Sequence, residues 1–371
     1  MRKLGWLGVL AAVTALSIYI SAPVSGQQQQ AQGSQQASSQ QTLPRPYGTP
    51  PPMVVTAFGG KPYTYQVPRT PWGDPDLQGT WSSEAELSVP FQRDAQYGDR
   101  RFLTEAEFAQ RQKTTASQVQ SDLSEFEVFT ADTRNAGAVG SATSPPPHWL
   151  ERGKASRRTS LIVDPPDGRL PATAQQGRGR GRGAAGGGGT FGGLGAFGAT
   201  PAFNGPQDLS LWERCITRGV PAAIFPTVYN ANIRIVQGPG VVAITYEMIH
   251  DTRVIPIGST AHVGSPIRGY EGDSRGHWEG DTLVVDTTNF SDKTDYRGSR
   301  ETLHLIERLR RDRDGLQYEV TVDDPHTWVK PWTAALTLDA QPDDSLFEYA
   351  CHEGNNSMRN ILSAARAAER K

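Results

Sequence analysis

The chain has 371 residues, a net charge of −2 and a sequence pI of about 6.4. Such a length allows two or three domains, although low-complexity stretches occupy much of it. The near-neutral charge provides no broad positive field, which argues against nucleic acid or an anionic membrane surface as the partner.

The N-terminus has the pattern of a secretory signal peptide. Arg2 and Lys3 precede an apolar stretch from Leu4 to Ile20, and small residues follow up to Gly26. This stretch is shorter than the ~20 residues that a transmembrane helix needs, which disfavours the alternative of a membrane anchor. We therefore predict a signal peptide over 1–26 and a periplasmic or secreted mature protein with no stable membrane span.

Two stretches have compositions that do not support a packed core. Residues 27–69 are rich in glutamine and then in proline, which predicts a disordered linker. Residues 175–205 carry repeated Gly-Arg pairs followed by a glycine run. In a cytosolic protein that composition indicates RNA binding, but behind an export signal a flexible insertion is the favoured interpretation. We expect one β-rich domain over 70–371, interrupted by this insertion.

The chain has two cysteines, Cys215 and Cys351. An exported chain with only two cysteines usually pairs them, and the bridge would close a long loop, worth up to about 5 kcal/mol in the chain-entropy view. A catalytic thiol is the competing interpretation, disfavoured because an oxidising compartment opposes a free thiolate. We predict a Cys215–Cys351 disulfide.

The first elements combine one strand and one helix. Gly79-Thr80-Trp81 resembles the first strand of calycin-type barrels, where the tryptophan plugs one end; an ordinary core anchor is the alternative. A helix is predicted over 102–123, with Thr104 as N-cap and Glu107 completing a capping box. A second helix is predicted over 208–217.

The rest of the chain alternates short β-branched runs with glycine turns. The clearest unit is a hairpin, in which strands 232–237 and 241–249 flank Gly238-Pro239-Gly240. Further strands are predicted at 158–164, 252–257, 282–290, 302–310, 316–323, 332–338 and 346–351, and a last helix at 357–370. Short strands without long intervening helices indicate a mainly β fold. We expect an antiparallel calycin-like barrel or cone with an N-terminal wrapping segment and short peripheral helices.

Strand alternation selects a few polar residues as candidates for function. In strand 241–249 the face of Val242 and Ile244 leads to His250, while Glu247 lies on an opposite face that is also apolar. A buried carboxylate needs a partner, and Arg253 is near enough in sequence to serve. A structural ion pair is the alternative to a catalytic role for Glu247 and Arg253.

Two further histidines, His304 and His352, lie near predicted strand ends. Together with His250 they could meet in a barrel mouth, as an acid–base site or as metal ligands. The carboxylates that could join them there are Glu247, Glu307 and Glu353. No diagnostic metal spacing is present, and a structural hydrogen bond is the commoner role of a single histidine. Metal content, cofactors and oligomeric state therefore stay open, and no cofactor-binding fingerprint is found.

Several longer motifs resemble a large family of exported bacterial β-rich proteins. They are Pro75-Asp76-Leu77-Gln78-Gly79-Thr80-Trp81, Glu247-Met248-Ile249-His250-Asp251, Trp278-Glu279-Gly280-Asp281-Thr282-Leu283-Val284-Val285, Thr288-Asn289-Phe290 and Tyr349-Ala350-Cys351-His352-Glu353-Gly354-Asn355. The resemblance covers about 70–170 and 206–366, and relative to it the Gly/Arg-rich segment is an insertion. It implies export and a β-rich fold and assigns no activity to these positions.

Three functions fit these observations. The first is binding of a small, partly apolar ligand in a pocket of the barrel. The second is a hydrolase or lyase that uses His250, His304 or His352 as acid or base, with Glu247 and Arg253 orienting charge. The third is a structural or partner-binding envelope protein in which the same residues only stabilise the sheet.

Overall fold

The computed structural model describes residues 65–131, 151, 153–174, 203–258, 261–313, 315–343 and 345–370, with the backbone alone for 122–131. All of them belong to one compact unit, Thr56–Lys371. The predicted signal peptide, nearly all of the linker and nearly all of the Gly/Arg-rich insertion lie outside these residues.

One antiparallel sheet dominates the fold. Its strands are β1 (Gly79–Ser82), β2 (Ile162–Asp164), β3 (Asn232–Gly238), β4 (Val241–Tyr246), β5 (Thr252–Pro256), β6 (Asp273–Glu279), β7 (Thr282–Thr288), β8 (His304–Asp312), β9 (Gly315–Asp323) and β10 (Trp332–Ala340). They are ordered β5-β4-β3-β1-β10-β9-β8-β7-β6, with β2 paired to β10 off this path. The described helices are α1 (Glu105–Ala131) and α2 (Asn356–Ala368), besides short 3-10 turns.

The two ends of the sheet approach each other. Ile257, just after β5, forms a parallel bridge with Gly276 of β6. The N–H of Gly258 donates to the Gly276 carbonyl at 2.8 Å. The glycine is required there, because a Cβ at position 276 would lie 2.5 Å from the Ile257 side chain. The sheet is therefore a nearly closed barrel with short helices, and the predicted fold class is confirmed.

The barrel interior is filled by alternate side chains of the strands. On β9, Leu316, Tyr318, Val320 and Val322 are fully buried, and the other strands contribute similar rows. Trp81 is also buried, and its indole N–H donates to the Leu77 carbonyl at 3.0 Å. Apolar side chains therefore occupy the centre of the barrel.

The helix predictions have mixed outcomes. The capping box of α1 is confirmed, because Thr104 N–H donates to Glu107 Oε2 at 2.8 Å and Glu107 N–H donates to Thr104 Oγ1 at 3.3 Å. The predicted helix over 208–217 is wrong, and turns occupy that stretch instead. Cys215 there has a φ of 56°, which lies outside the right-handed helical region.

Two strand predictions are also corrected. Residues 273–279 form β6, a strand that the sequence analysis did not predict. Residues 346–351, predicted as a strand, are extended but pair with no strand in the described part of the chain. Side chains satisfy two of that segment's N–H groups, as described below.

Candidate functional site

Glu247 and His250 lie in a turn and not on the faces of a strand. β4 ends at Tyr246, and Ile249 and His250 adopt φ values of 71° and 58°. Such backbone reverses the chain between β4 and β5. Strand alternation therefore assigned these two side chains to faces that they do not occupy.

Both side chains hold one C-terminal segment, residues 345–351, which we call the C-terminal strap. Glu247 is buried and accepts hydrogen bonds from Phe347 N–H at 3.2 Å and from Asn232 N–H at 3.3 Å. His250 Nε2 accepts from Tyr349 N–H at 2.8 Å. In this arrangement both residues position the strap.

The predicted disulfide fixes the far end of the same strap. Cys215 and Cys351 are bonded, with their Cα atoms 5.8 Å apart and a sequence separation of 136. A loop of that length gives a stabilisation of about 5 kcal/mol in the chain-entropy view. The thiol alternative is excluded in this state, since neither cysteine is free.

The structure places His304 and His352 elsewhere. His352 is exposed beside the disulfide, and its ring makes no hydrogen bond to a described residue. His304 lies on the outer face of β8, where its Nε2 is 2.8 Å from Asp286 Oδ2. Within the described chain, Glu247 and His250 therefore come together, and the other two histidines do not join them.

His304 belongs to a chain of histidines and carboxylates on the outside of the barrel. His262 Nε2 is 3.0 Å from Asp286 Oδ1, and His262 Nδ1 is 3.0 Å from Asp273 Oδ2. Burial works against the charge on His304, but its hydrogen bond to Asp286 and the charge of that carboxylate raise the pKa of His304. Burial likewise opposes charge on Asp286, yet the two histidines lower the pKa of Asp286.

Inside the barrel, Arg253 pairs with Glu307 and not with Glu247. Its two terminal nitrogens donate to the Glu307 carboxylate at 2.6 and 3.1 Å, and the Tyr318 hydroxyl donates to the same carboxylate at 2.8 Å. All three residues are buried. The signal for Glu307 was present in the sequence, because alternation places it on the apolar face of Leu303, Leu305 and Leu309. The sequence carried no signal that Arg253 is the partner of Glu307, since β5 and β8 are far apart in sequence.

Two atoms beside this pair are buried without a hydrogen-bond partner in the structure. They are the hydroxyl oxygen of Tyr246 and Nε of Arg253. Glu271, in the loop before β6, exerts its charge on both residues and is itself only partly exposed. Together, Tyr246, Arg253, Glu271, Glu307 and Tyr318 are called the inner polar cluster below.

Glu271 is the member of the cluster that reaches solvent. It accepts a hydrogen bond from Thr217 Oγ1 at 3.1 Å. Burial, with a further contribution from the charge of Asp251, raises the pKa of Glu271 to about 7. The Glu271 carboxyl can therefore exchange a proton near neutral pH. Sequence reasoning missed Glu271 because its loop carries no strand alternation.

A shallow pocket of about 230 Å³ lies outside the barrel. Its lining is largely polar, and across it Lys154 Nζ contacts Asp339 Oδ2 at 2.6 Å. An ion pair of this kind suits a solvated surface and does not suit an apolar ligand. We therefore place the candidate site at the inner polar cluster.

The described residues contain no group of three or more histidine, cysteine or acidic side chains arranged to hold a metal ion. In the same part of the chain, no helix is long and apolar enough to cross a membrane.

Comparison of the chain with protein-family models finds no match, and comparison with curated proteins finds none either. The function therefore has to be argued from the site.

Proposed function

We propose that this protein is exported and binds a small, partly apolar ligand at the end of the barrel that the C-terminal strap crosses. Support for export comes from the disulfide, which is typical of oxidising compartments. The N-terminal signal pattern of the sequence agrees with this assignment.

The direction of the strands places the inner polar cluster at this end. Tyr246 ends β4, Arg253 is the second residue of β5, and Glu271 precedes β6. The strap is tied to Glu247 and His250, in the turn between the first two of these strands. The polar cluster and the strap therefore belong to the same end of the barrel.

The observation that carries the proposal is the pair of unpartnered atoms, Tyr246 Oη and Arg253 Nε. A buried polar group without a hydrogen bond costs about 1–3 kcal/mol. A ligand acceptor placed between a phenol and a guanidinium N–H would recover that cost, and Glu271 opens the cluster to solvent.

Aromatic rings at the same end of the barrel would contact the apolar part of the ligand. Trp332 begins β10, and its ring stacks on that of Tyr296 with centroids 6.2 Å apart. The ring of Phe225 also stacks on that of Tyr296, with centroids 6.5 Å apart. Such rings offer large apolar contact area, as small-molecule sites with a few polar groups usually do.

The test is native mass spectrometry of the protein purified without denaturation from the compartment to which it is exported. We expect a bound small molecule on the wild type and its loss in Tyr246→Phe, which removes only the unpartnered hydroxyl. Tyr97→Phe is the matched control, because Tyr97 lies in a 3-10 turn of the N-terminal segment. A ligand-free wild type, or equal occupancy in Tyr246→Phe, would contradict the proposal.

A second candidate function is acid–base catalysis, as in a hydrolase or lyase. The favouring observation is the Glu271 carboxyl, whose pKa of about 7 matches the optimum for proton transfer near neutral pH. In this proposal Glu271 is the acid or base, in place of His250 and Glu247, which bind the strap. Screening with hydrolase and lyase substrates should then give an activity that follows a group with a pKa near 7 and disappears in Glu271→Gln. An activity that survives this change would exclude Glu271 as the acid or base.

A further inference from the structure

Arg218 lies near aromatic rings, in the 203–231 segment that precedes β3. Its guanidinium carbon is 5.4 Å from the centroid of the Trp212 ring. The rings of Tyr229 and Tyr349 are stacked with centroids 6.5 Å apart and planes inclined by 6°, and their side chains are hydrogen-bonded. The charge of Arg218 acts on both tyrosines. We call these four side chains, one cation and three aromatic rings, the Arg218 cluster.

Among the residues that the structure describes, the guanidinium of Arg218 forms neither a hydrogen bond nor an ion pair, and it lies beside the Trp212 ring. The side chain is half-buried, and burial lowers the pKa of Arg218. By contrast, buried Arg253 has Glu307 and half-buried Arg275 has Asp273. A desolvated guanidinium without an anion is unfavourable, so the Arg218 cluster is suited to bind an anion.

We propose that Arg218, Trp212, Tyr229 and Tyr349 bind the carboxylate of a small organic acid with a planar body. The guanidinium fork matches a carboxylate in bidentate geometry. The rings offer flat apolar faces on which a planar body stacks. A single cation favours a monoanion over a multiply charged phosphate. The site does not depend on the inner polar cluster, so either assignment can fail without the other.

The C-terminal strap holds one member of the Arg218 cluster in place. Tyr349 belongs to the strap, which His250 holds at Tyr349 N–H and the disulfide anchors at Cys351. Cys215 is three residues before Arg218, so the same disulfide ties the Arg218 segment to the Tyr349 segment. His250 and the two cysteines are therefore positioning residues for this site. Reduction of the disulfide should weaken carboxylate binding while the barrel stays folded.

The experiment is isothermal titration of the full mature chain, with its disulfide intact, with benzoate. Benzamide is the neutral probe of the same shape, acetate is the carboxylate without a ring, and inorganic phosphate is the competing anion. We expect benzoate to bind at least tenfold more tightly than the other three probes. Arg218→Gln should abolish this preference and Arg218→Lys should weaken it, since lysine keeps the charge and loses the fork. Arg214→Gln, four residues earlier in the same segment, should leave it unchanged.

Several results would overturn the assignment. Equal binding of benzoate and benzamide would show that charge plays no part, and tighter binding of phosphate would exclude the carboxylate. An equal loss in Arg214→Gln and Arg218→Gln would exclude a specific guanidinium. The probe comparison on the wild type does not require that any variant fold. For the variants, a thermal shift by benzoate that is present in the wild type and absent in folded Arg218→Gln separates binding from a structural role.

Discussion

Replacing Glu271 by glutamine should change how the stability of the protein depends on pH. Burial is the main reason that the pKa of Glu271 rises from 4.5 to about 7. A glutamine keeps an acceptor for the Thr217 hydroxyl but cannot ionise. The variant therefore removes the titration and preserves the shape of the site.

The direction in which the unfolding free energy changes with pH follows from the protons bound by the folded and the unfolded chain. Between about pH 4.5 and 7 the folded wild type keeps the Glu271 proton while the unfolded chain has released it, so folding becomes less favourable as the pH rises. At about 1.4 kcal/mol for each pKa unit, the stabilisation lost across this window is about 3 kcal/mol. This stabilisation is fully present below the pKa that Glu271 has in the unfolded chain, and it is lost above the pKa that Glu271 has in the folded protein.

Urea unfolding of wild type and Glu271→Gln at a series of pH values measures this effect. The difference in unfolding free energy should be small near pH 4.5 and should grow to about 3 kcal/mol in favour of the variant above pH 7. Glu353→Gln, at an exposed position, is the control and should follow the wild type. Parallel curves for wild type and Glu271→Gln would refute both the raised pKa and the role of Glu271 as a proton carrier.

Three further predictions concern the supports of the site. Cys215→Ser should lower the unfolding free energy by up to about 5 kcal/mol, measured by urea unfolding; an unchanged midpoint would show that the disulfide adds nothing. Asp286→Asn should remove a contribution to the free energy of unfolding. In the wild type this contribution is present above the usual carboxylate pKa and is lost as the pH rises through the raised pKa of His304. Stability curves that match the wild type from pH 4 to 8 would count against that pairing. Glu307→Gln leaves Arg253 without a counter-charge and should cost about 3–5 kcal/mol; a calorimetric cost below 1 kcal/mol would contradict it.

The sequence contained most of the fold because strands of a barrel carry a local signal. Alternation and glycine turns located β3, β4 and β7 to β10 to within a few residues, and the compartment argument predicted the disulfide. β6 was missed because its sequence, Asp-Ser-Arg-Gly-His-Trp-Glu, lacks β-branched residues. Gly276 within it serves the close approach of Ile257. That requirement comes from barrel closure, which no local window shows.

The candidate site was less predictable because its contacts are distant in sequence. Glu247 lies near Arg253 in the chain, yet the arginine reaches across the barrel interior to Glu307, 54 residues away. The turn after Tyr246 depends on two left-handed residues, Ile249 and His250, and for a β-branched residue such as Ile249 that conformation is rare. Tertiary contacts with the strap stabilise that turn. The sequence pattern had predicted the strap as a strand.

The central claim is that Tyr246 Oη and Arg253 Nε face a ligand. Its most direct test is the electron density around these two atoms in crystals of protein purified without denaturation from the compartment to which it is exported. We predict density for a non-protein molecule with a polar atom within hydrogen-bond distance, about 2.7–3.2 Å, of at least one of them. Density for ordered water alone, or a side-chain shift that pairs the two atoms with the protein, would contradict the claim.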